Sequence, residues 1–151
     1  MTLRIAAKMR EPAERAYFDQ QVAPLLGGLV EYVGEVGGAD KVELLAGASC
    51  LLNPIAWPEP FGMVMIEALA CGTPVVATPH GSVPELIADG VTGYVRPDET
   101  GLADALQRVD RLDRERCRKE AAERFSTDRM VIDHLRLYEK VRGGPRLAYA
   151  S

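Results

Sequence analysis

The stretch from Asn53 to Val95, NPIAWPEPFGMVMIEALACGTPVVATPHGSVPELIADGVTGYV, decides the fold. Between Phe61 and Gly72 it carries one charged side chain, Glu67, in an otherwise apolar or small run. As a helix, that run would bury most of its surface. Gly72-Thr73-Pro74 stops the helix and leads into a strand, PVVATP. A short helix from Pro84 to Ala88 follows, closed by Asp89-Gly90, and then another strand, TGYVRP. An ionised carboxylate left unpaired in an apolar helix costs roughly several kcal/mol, so Glu67 must be neutralised, paired or used. Glu59 lies eight positions upstream in the turn-rich segment PIAWPEP, at the helix mouth. Two acids so spaced can face one ligand docked on the helix N-terminus. The structural alternative has Glu59 capping the helix and Glu67 pairing with an Arg in the core.

Outward from this stretch the alternation continues. LRIAAK (3–8) reads as a strand, 12–26 as a helix, VEYVGEV (30–36) as a strand and 39–46 as a helix. SCLLNPI (49–55) reads as a strand buried on both faces, because its apolar run is nearly continuous. After TGYVRP come three helical stretches, 99–109, 113–125 and 127–141. Strict strand–helix alternation predicts an α/β domain with a Rossmann-like, doubly wound parallel sheet over residues 1–141. The segment 142–151, GGPRLAYAS preceded by Arg142, is expected to be a disordered tail. Ligands of such sheets sit beyond the carboxyl ends of the strands. The loops at Val36-Gly37-Gly38, at Glu59–Gly62 and at Pro79–Ser82 all fall there.

Composition narrows the function classes. With 151 residues, 47% of them hydrophobic, the chain is long enough for one core. A net charge of −4 argues against a nucleic-acid partner. No apolar run approaches the roughly 20 residues of a membrane span, and the N-terminus has no signal-peptide pattern. Cys50, Cys71 and Cys117 are widely spaced, without a CxxC pair, which predicts reduced structural thiols and a cytoplasmic location. The interleaved charges from Arg108 to Glu120 predict a solvated, ion-paired helix face. Trp57 is read as a lid over the core or as a sugar-facing ring. His80 is read as a loop hydrogen-bonder or a ligand contact, and His134 as a packing or surface histidine.

At the mouth of the central helix, the backbone N–H groups around Phe61, Gly62 and Met63 and the positive end of the helix dipole suit phosphate or hydroxyl oxygens. A glycine at 62 would let a ligand approach the backbone without a Cβ in the way. Glu67 could accept hydrogen bonds from paired hydroxyls such as a ribose diol.

The pattern Glu59-x7-Glu67, then Ala68, Gly72, Pro74, Val75, Val76 and Ala77, followed by GSVPELIADGVTGYV, resembles the donor-binding core of retaining glycosyltransferases of family 4 (group 1). The resemblance covers about residues 3–141 and implies the C-terminal half of a GT-B fold. It implies that Glu59 meets the donor sugar near its 3- and 4-hydroxyls and that Glu59 is the catalytic-site carboxylate. It also implies that the amides around Phe61, Gly62 and Met63 hold sugar and diphosphate oxygens, that Val64 lies close to the phosphates, that Glu67 binds the ribose hydroxyls, and that Val36 lies near the nucleobase. The substrate is then a nucleotide-diphosphate sugar. No metal and no further cofactor is implied, since the motif has no D-x-D pair.

The chain departs from the family in lacking, before Leu3, the first βα unit with its G-R-x-x-x-x-K-like diphosphate clamp; Lys8 and Arg10 do not match it. The N-terminal acceptor-binding domain of that family is likewise expected to lie outside these residues and is the expected partner. The expectation is therefore a hexosyltransferase as a full-length protein, with this portion alone inactive. Two other readings stand beside it: a non-catalytic nucleotide or nucleotide-sugar module, and a structural remnant that needs a separate N-terminal half. The related sugar-nucleotide epimerases fit ALACGTPVV less well. Base, sugar, acceptor and oligomeric state are not readable from these residues.

Overall fold

The computed structural model describes residues 1–143. Five strands alternate with helices: β1 Leu3–Ala6, α1 Pro12–Tyr17, β2 Val30–Gly34, α2 Gly38–Gly47, β3 Leu51–Asn53, α3 Met63–Ala70, β4 Val75–Ala77, α4 Val83–Leu86, β5 Gly93–Val95, α5 Glu99–Leu106, α6 Arg114–Phe125 and α7 Thr127–Gly143. All strand pairs are parallel. The α/β class with parallel strands is thus as expected. The strands form two sheets, β1-β2 and β3-β4-β5, where one sheet was expected. The residues also gather into two compact units, Met1–Leu44 and Leu45 onward. Of the expected tail, Arg142 and Gly143 belong to α7, and 144–151 lie outside the described residues.

In the first unit β1 and β2 run in register from Leu3 opposite Val30 to Ile5 opposite Tyr32, then shift so that Ala6 faces Gly34. Tyr32 anchors the pair: its hydroxyl donates to Ala7 O at 2.7 Å and its ring lies 4.6 Å from that of Phe18. The expected helix over 12–26 is broken. It passes from α1 into a π-helical turn, Phe18–Val22, and a 3-10 turn, Ala23–Leu25. Pro24, without an N–H, cannot carry an α-helical ladder onward. At the start of α1, Glu14 reaches back to the backbone N–H groups of Arg10 (2.7 Å) and Glu11 (3.0 Å). Those bonds hold its carboxyl below the usual range.

In the second unit β4 is the central strand, and every residue of it is fully buried. Side chains alternate across a strand. Val75 and Ala77 therefore join one core with Met65, Ala68 and Leu69 of α3, Val83 and Leu86 of α4, and Cys117 and Ala121 of α6. Val76 joins a second core with Leu102 and Ala105 of α5 and with Val109. This is the two-sided covering that a doubly wound sheet requires. β3 is a correction: it was read as buried on both faces, yet Leu51, Leu52 and Asn53 are only partly buried. It stands at the edge of its sheet, and the fully buried position belongs to β4.

Helix starts follow their local chemistry. Asp98 caps α5 by accepting from Gly101 N at 2.8 Å, and Asp113 caps α6 by accepting from Glu115 N at 2.8 Å. Only Cys117 and Ala121 of α6 are buried. Some of its charges pair along the helix, Arg116 and Arg124 with Glu120 and Lys119 with Glu123, but Arg114 departs from the expected ion-paired face and donates to Ala46 O, Ala48 O and the Thr73 hydroxyl.

Candidate functional site

The loops that follow β3, β4 and β5 leave the same end of the three-stranded sheet, since the strands are parallel. The first of them, 54–62, leads into α3 and contains Glu59. It is anchored from below at Ile55, which is buried and whose carbonyl accepts from the Thr78 hydroxyl. It is anchored again by the second loop through Ser82. The Ser82 N–H donates to Glu59 O at 2.9 Å, and its hydroxyl donates to Phe61 O at 2.8 Å. Gly81 makes the approach possible. Its φ is +58°, and a Cβ there would stand 2.2 Å from Glu59 O and 2.4 Å from Glu59 N.

The Glu59 carboxylate is held from two sides. Oε1 accepts from Gly62 N–H at 3.2 Å, and Oε2 accepts from the Trp57 indole N–H at 3.3 Å. In the structural alternative, the capping role of Glu59 is corrected in detail. Glu59 binds the N–H of Gly62, the residue just before α3, and no side chain caps the helix. The first amides of α3, at Met63 and Val64, have no acceptor within the helix, as at any helix start. They lie where Phe61, Met63 and Val64 expose 51%, 58% and 38% of their surface.

Three sequence readings change here. Gly62 is buried, and its missing side chain would point at Met65 Cε (2.1 Å) rather than toward a ligand. With φ at +78°, its glycine is explained by the left-handed turn and by core packing. Its N–H is also already committed to Glu59. Second, α3 is less deeply set than its composition suggests: Met65, Ala68 and Leu69 are buried, but Met63 and Val64 are exposed. Third, Trp57 is 57% exposed and does not cover the core.

Glu67 sits in the second turn of α3, half-buried, one turn past Met63. Val36 lies in the β2–α2 loop of the first unit and is half-buried. His80 is exposed; its backbone accepts from Val83 N–H at 3.3 Å and donates to Thr78 O at 2.9 Å. His134, on exposed α7, hydrogen-bonds Met130 O through Nδ1 at 2.8 Å. Desolvation pushes the thiols of Cys50 and Cys117 up and disfavours their thiolates. Among the described residues no helix is long and apolar enough to cross a membrane.

Sequence reasoning missed Ser82, Gly81 and the Trp57–Glu59 bond. The rim loop PHGS was visible as a loop, but nothing in it signalled that its backbone would seat against Glu59.

Comparison with known proteins follows the same elements. Residues 1–110 match the family model described as "Glycosyl transferases group 1". The phosphatidyl-myo-inositol mannosyltransferase of Mycobacterium leprae is 35% identical over 144 residues, covering 88% of this chain and 38% of that protein. Sucrose-phosphate synthase from Thermosynechococcus elongatus superposes with a TM-score of 0.74 at 28% identity, over 93% of this chain and 38% of its own. Anabaena HepE, crystallised in complex with UDP, superposes with a TM-score of 0.73 at 25% identity, over 95% of this chain and 41% of its own. The chain thus spans about two fifths of the length of these proteins. The architecture they share with it is that of GT-B glycosyltransferases.

Proposed function

The chain belongs to the glycosyl transferases group 1, and from that premise we propose that it is the donor-binding part of a retaining family 4 glycosyltransferase acting on a nucleotide-diphosphate sugar. The observation that carries the reading is the Glu59 carboxylate, held by two N–H donors at the uncapped start of α3. Glu59 takes hydroxyls of the donor sugar. The open amides at Met63 and Val64, with the positive end of the α3 dipole, take diphosphate oxygens. The Gly62 amide is spent on Glu59, so Gly62 contributes the shape of the turn and not a free donor, and the Phe61 amide joins those of Met63 and Val64. Glu67, one turn deeper, takes the ribose diol.

As the glycosidic bond breaks, charge grows on the leaving nucleoside diphosphate. Fixed amides and a helix end aimed at that charge stabilise it without reorganising. No metal or other cofactor enters this reading. The acceptor is held by a separate N-terminal GT-B domain, which is the partner proposed for this part. The Anabaena relative's complex with UDP supports a nucleotide as the ligand class.

Calorimetry of the chain with UDP, GDP and ADP, and with the glucose conjugate of whichever binds, tests the reading. Glu59→Gln is expected to weaken the nucleotide sugar about tenfold, the size of one lost charge-assisted hydrogen bond, and to spare the bare nucleotide. Glu67→Gln is expected to weaken both. Unchanged affinities in both variants would remove these roles.

A further inference from the structure

We propose that Trp57 is the positioning residue for Glu59, and that its indole N–H, rather than its ring surface, tunes recognition of the donor sugar. The proposal rests on the reading that Glu59 meets that sugar. Trp57 is the single tryptophan of the chain and is more than half exposed, so burial does not explain its place. Two bonds link it to Glu59. Its carbonyl accepts from Glu59 N–H at 2.9 Å, which closes a tight turn across Pro58. Its indole N–H donates to Glu59 Oε2 at 3.3 Å. Pro58 restricts the backbone of Trp57 to extended conformations, which limits where the indole can go.

The remaining fixtures of Glu59 come from the loop after β4 and from the end of its own loop. Ser82 N–H holds its carbonyl and Gly62 N–H holds Oε1. With the Gly62 bond alone, the carboxylate can swing about that one contact. The indole adds the second point that sets its plane. A carboxylate offers about four acceptor directions. Two are used by the protein, so each oxygen keeps one direction for an incoming hydroxyl. Holding the acid in that pose before binding removes an ordering cost that the ligand would otherwise bear.

The experiment uses the whole chain and has two arms. In the first, the lone indole N–H resonance is followed by 15N NMR. It is expected to move in Glu59→Ala and to stay in the remote control Glu99→Ala; an unmoved signal in Glu59→Ala overturns the hydrogen bond and with it the proposal. In the second, UDP, GDP, ADP and the glucose conjugate of the nucleotide that binds are titrated by calorimetry. Trp57→Phe, which keeps a ring but loses the N–H, is expected to weaken the nucleotide sugar about three- to tenfold, while the bare nucleotide changes less than about twofold. Trp57→Ala is expected to match Trp57→Phe, and neither is expected to add to the loss in Glu59→Gln.

Full affinity in Trp57→Phe with loss in Trp57→Ala would assign the effect to the ring and overturn the proposal. Equal losses for sugar nucleotide and bare nucleotide would also overturn it. A wild-type chain that binds none of the three nucleotides overturns the donor reading and the sugar-directed part of this one together. Loss in Glu59→Gln with full affinity in Trp57→Phe keeps the donor reading and overturns only the role of Trp57.

Discussion

The two units use the same strand–helix alternation and bury it to opposite degrees. No residue of Met1–Leu44 is buried, and β2 alternates half-buried with exposed side chains. From Leu45 onward one strand, β4, is fully covered on both faces, and four helices send side chains to it. The difference is one of sheet size and covering. Two short strands present too little apolar surface for a core of their own, whereas a central strand with helices on each side gathers one. The loops that carry Glu59 and Ser82 rise from that covered strand and its neighbour, so these residues of the candidate site stand on the well-buried unit.

The sharpest way to break this contrast is to delete a side chain from each unit. Met65→Ala, at a fully buried position beside β4, is expected to cost about 2–5 kcal/mol in urea denaturation, and Leu29→Ala, at a position 61% exposed, to stay within about 0.5 kcal/mol. Equal losses would show that the first unit has a core of its own. A subtler comparison keeps the backbone angle constant. Gly28 and Gly81 both have φ +58°, but a Cβ at Gly28 meets nothing within 4 Å, while one at Gly81 strikes the backbone of Pro58 and Glu59. Gly28→Ala should therefore cost only the left-handed strain, about 1–2 kcal/mol, and Gly81→Ala more than that, together with weakened donor affinity as the Glu59 loop is pushed away.

The smallest effect expected is local and belongs to the first unit. Glu14 is held below its ordinary range by the N–H groups of Glu11 and Arg10, so its contribution is complete above that range and is lost as pH falls through its depressed value. The protection of the Arg10 and Glu11 amides, taken against their intrinsic exchange rates at each pH, should fall on acidification before that of the β4 amides. Simultaneous exchange at both sites would count against separate behaviour of the two units.

Much of the fold was legible because its signals are local. Gly72-Thr73-Pro74 ends α3, Asp98 and Asp113 stand at the starts of α5 and α6, and PVVATP holds a strand. The misreadings concern what neighbours do. The apolar letters of SCLLNPI are as suitable for an edge strand as for a central one, and only pairing decides that β4 takes the centre. Gly62 has the same letter whether it makes room for a ligand or for Met65 Cε, and the surrounding core selects the second.

The E-x7-E spacing, by itself, determined that two carboxylates flank one helix start, because chain connectivity holds Glu59 at the mouth of α3 and Glu67 one turn past Met63. It could not determine how Glu59 is held. Its carboxylate meets an indole two residues upstream and an amide three residues downstream, and the loop that carries all three is seated by a serine 23 positions on, which reaches it only when parallel strands bring their loops to one edge. Short-range chemistry is written in the order of the residues. The seat of the loop that carries the carboxylate is set by contacts between segments far apart in that order, and only the folded chain supplies them.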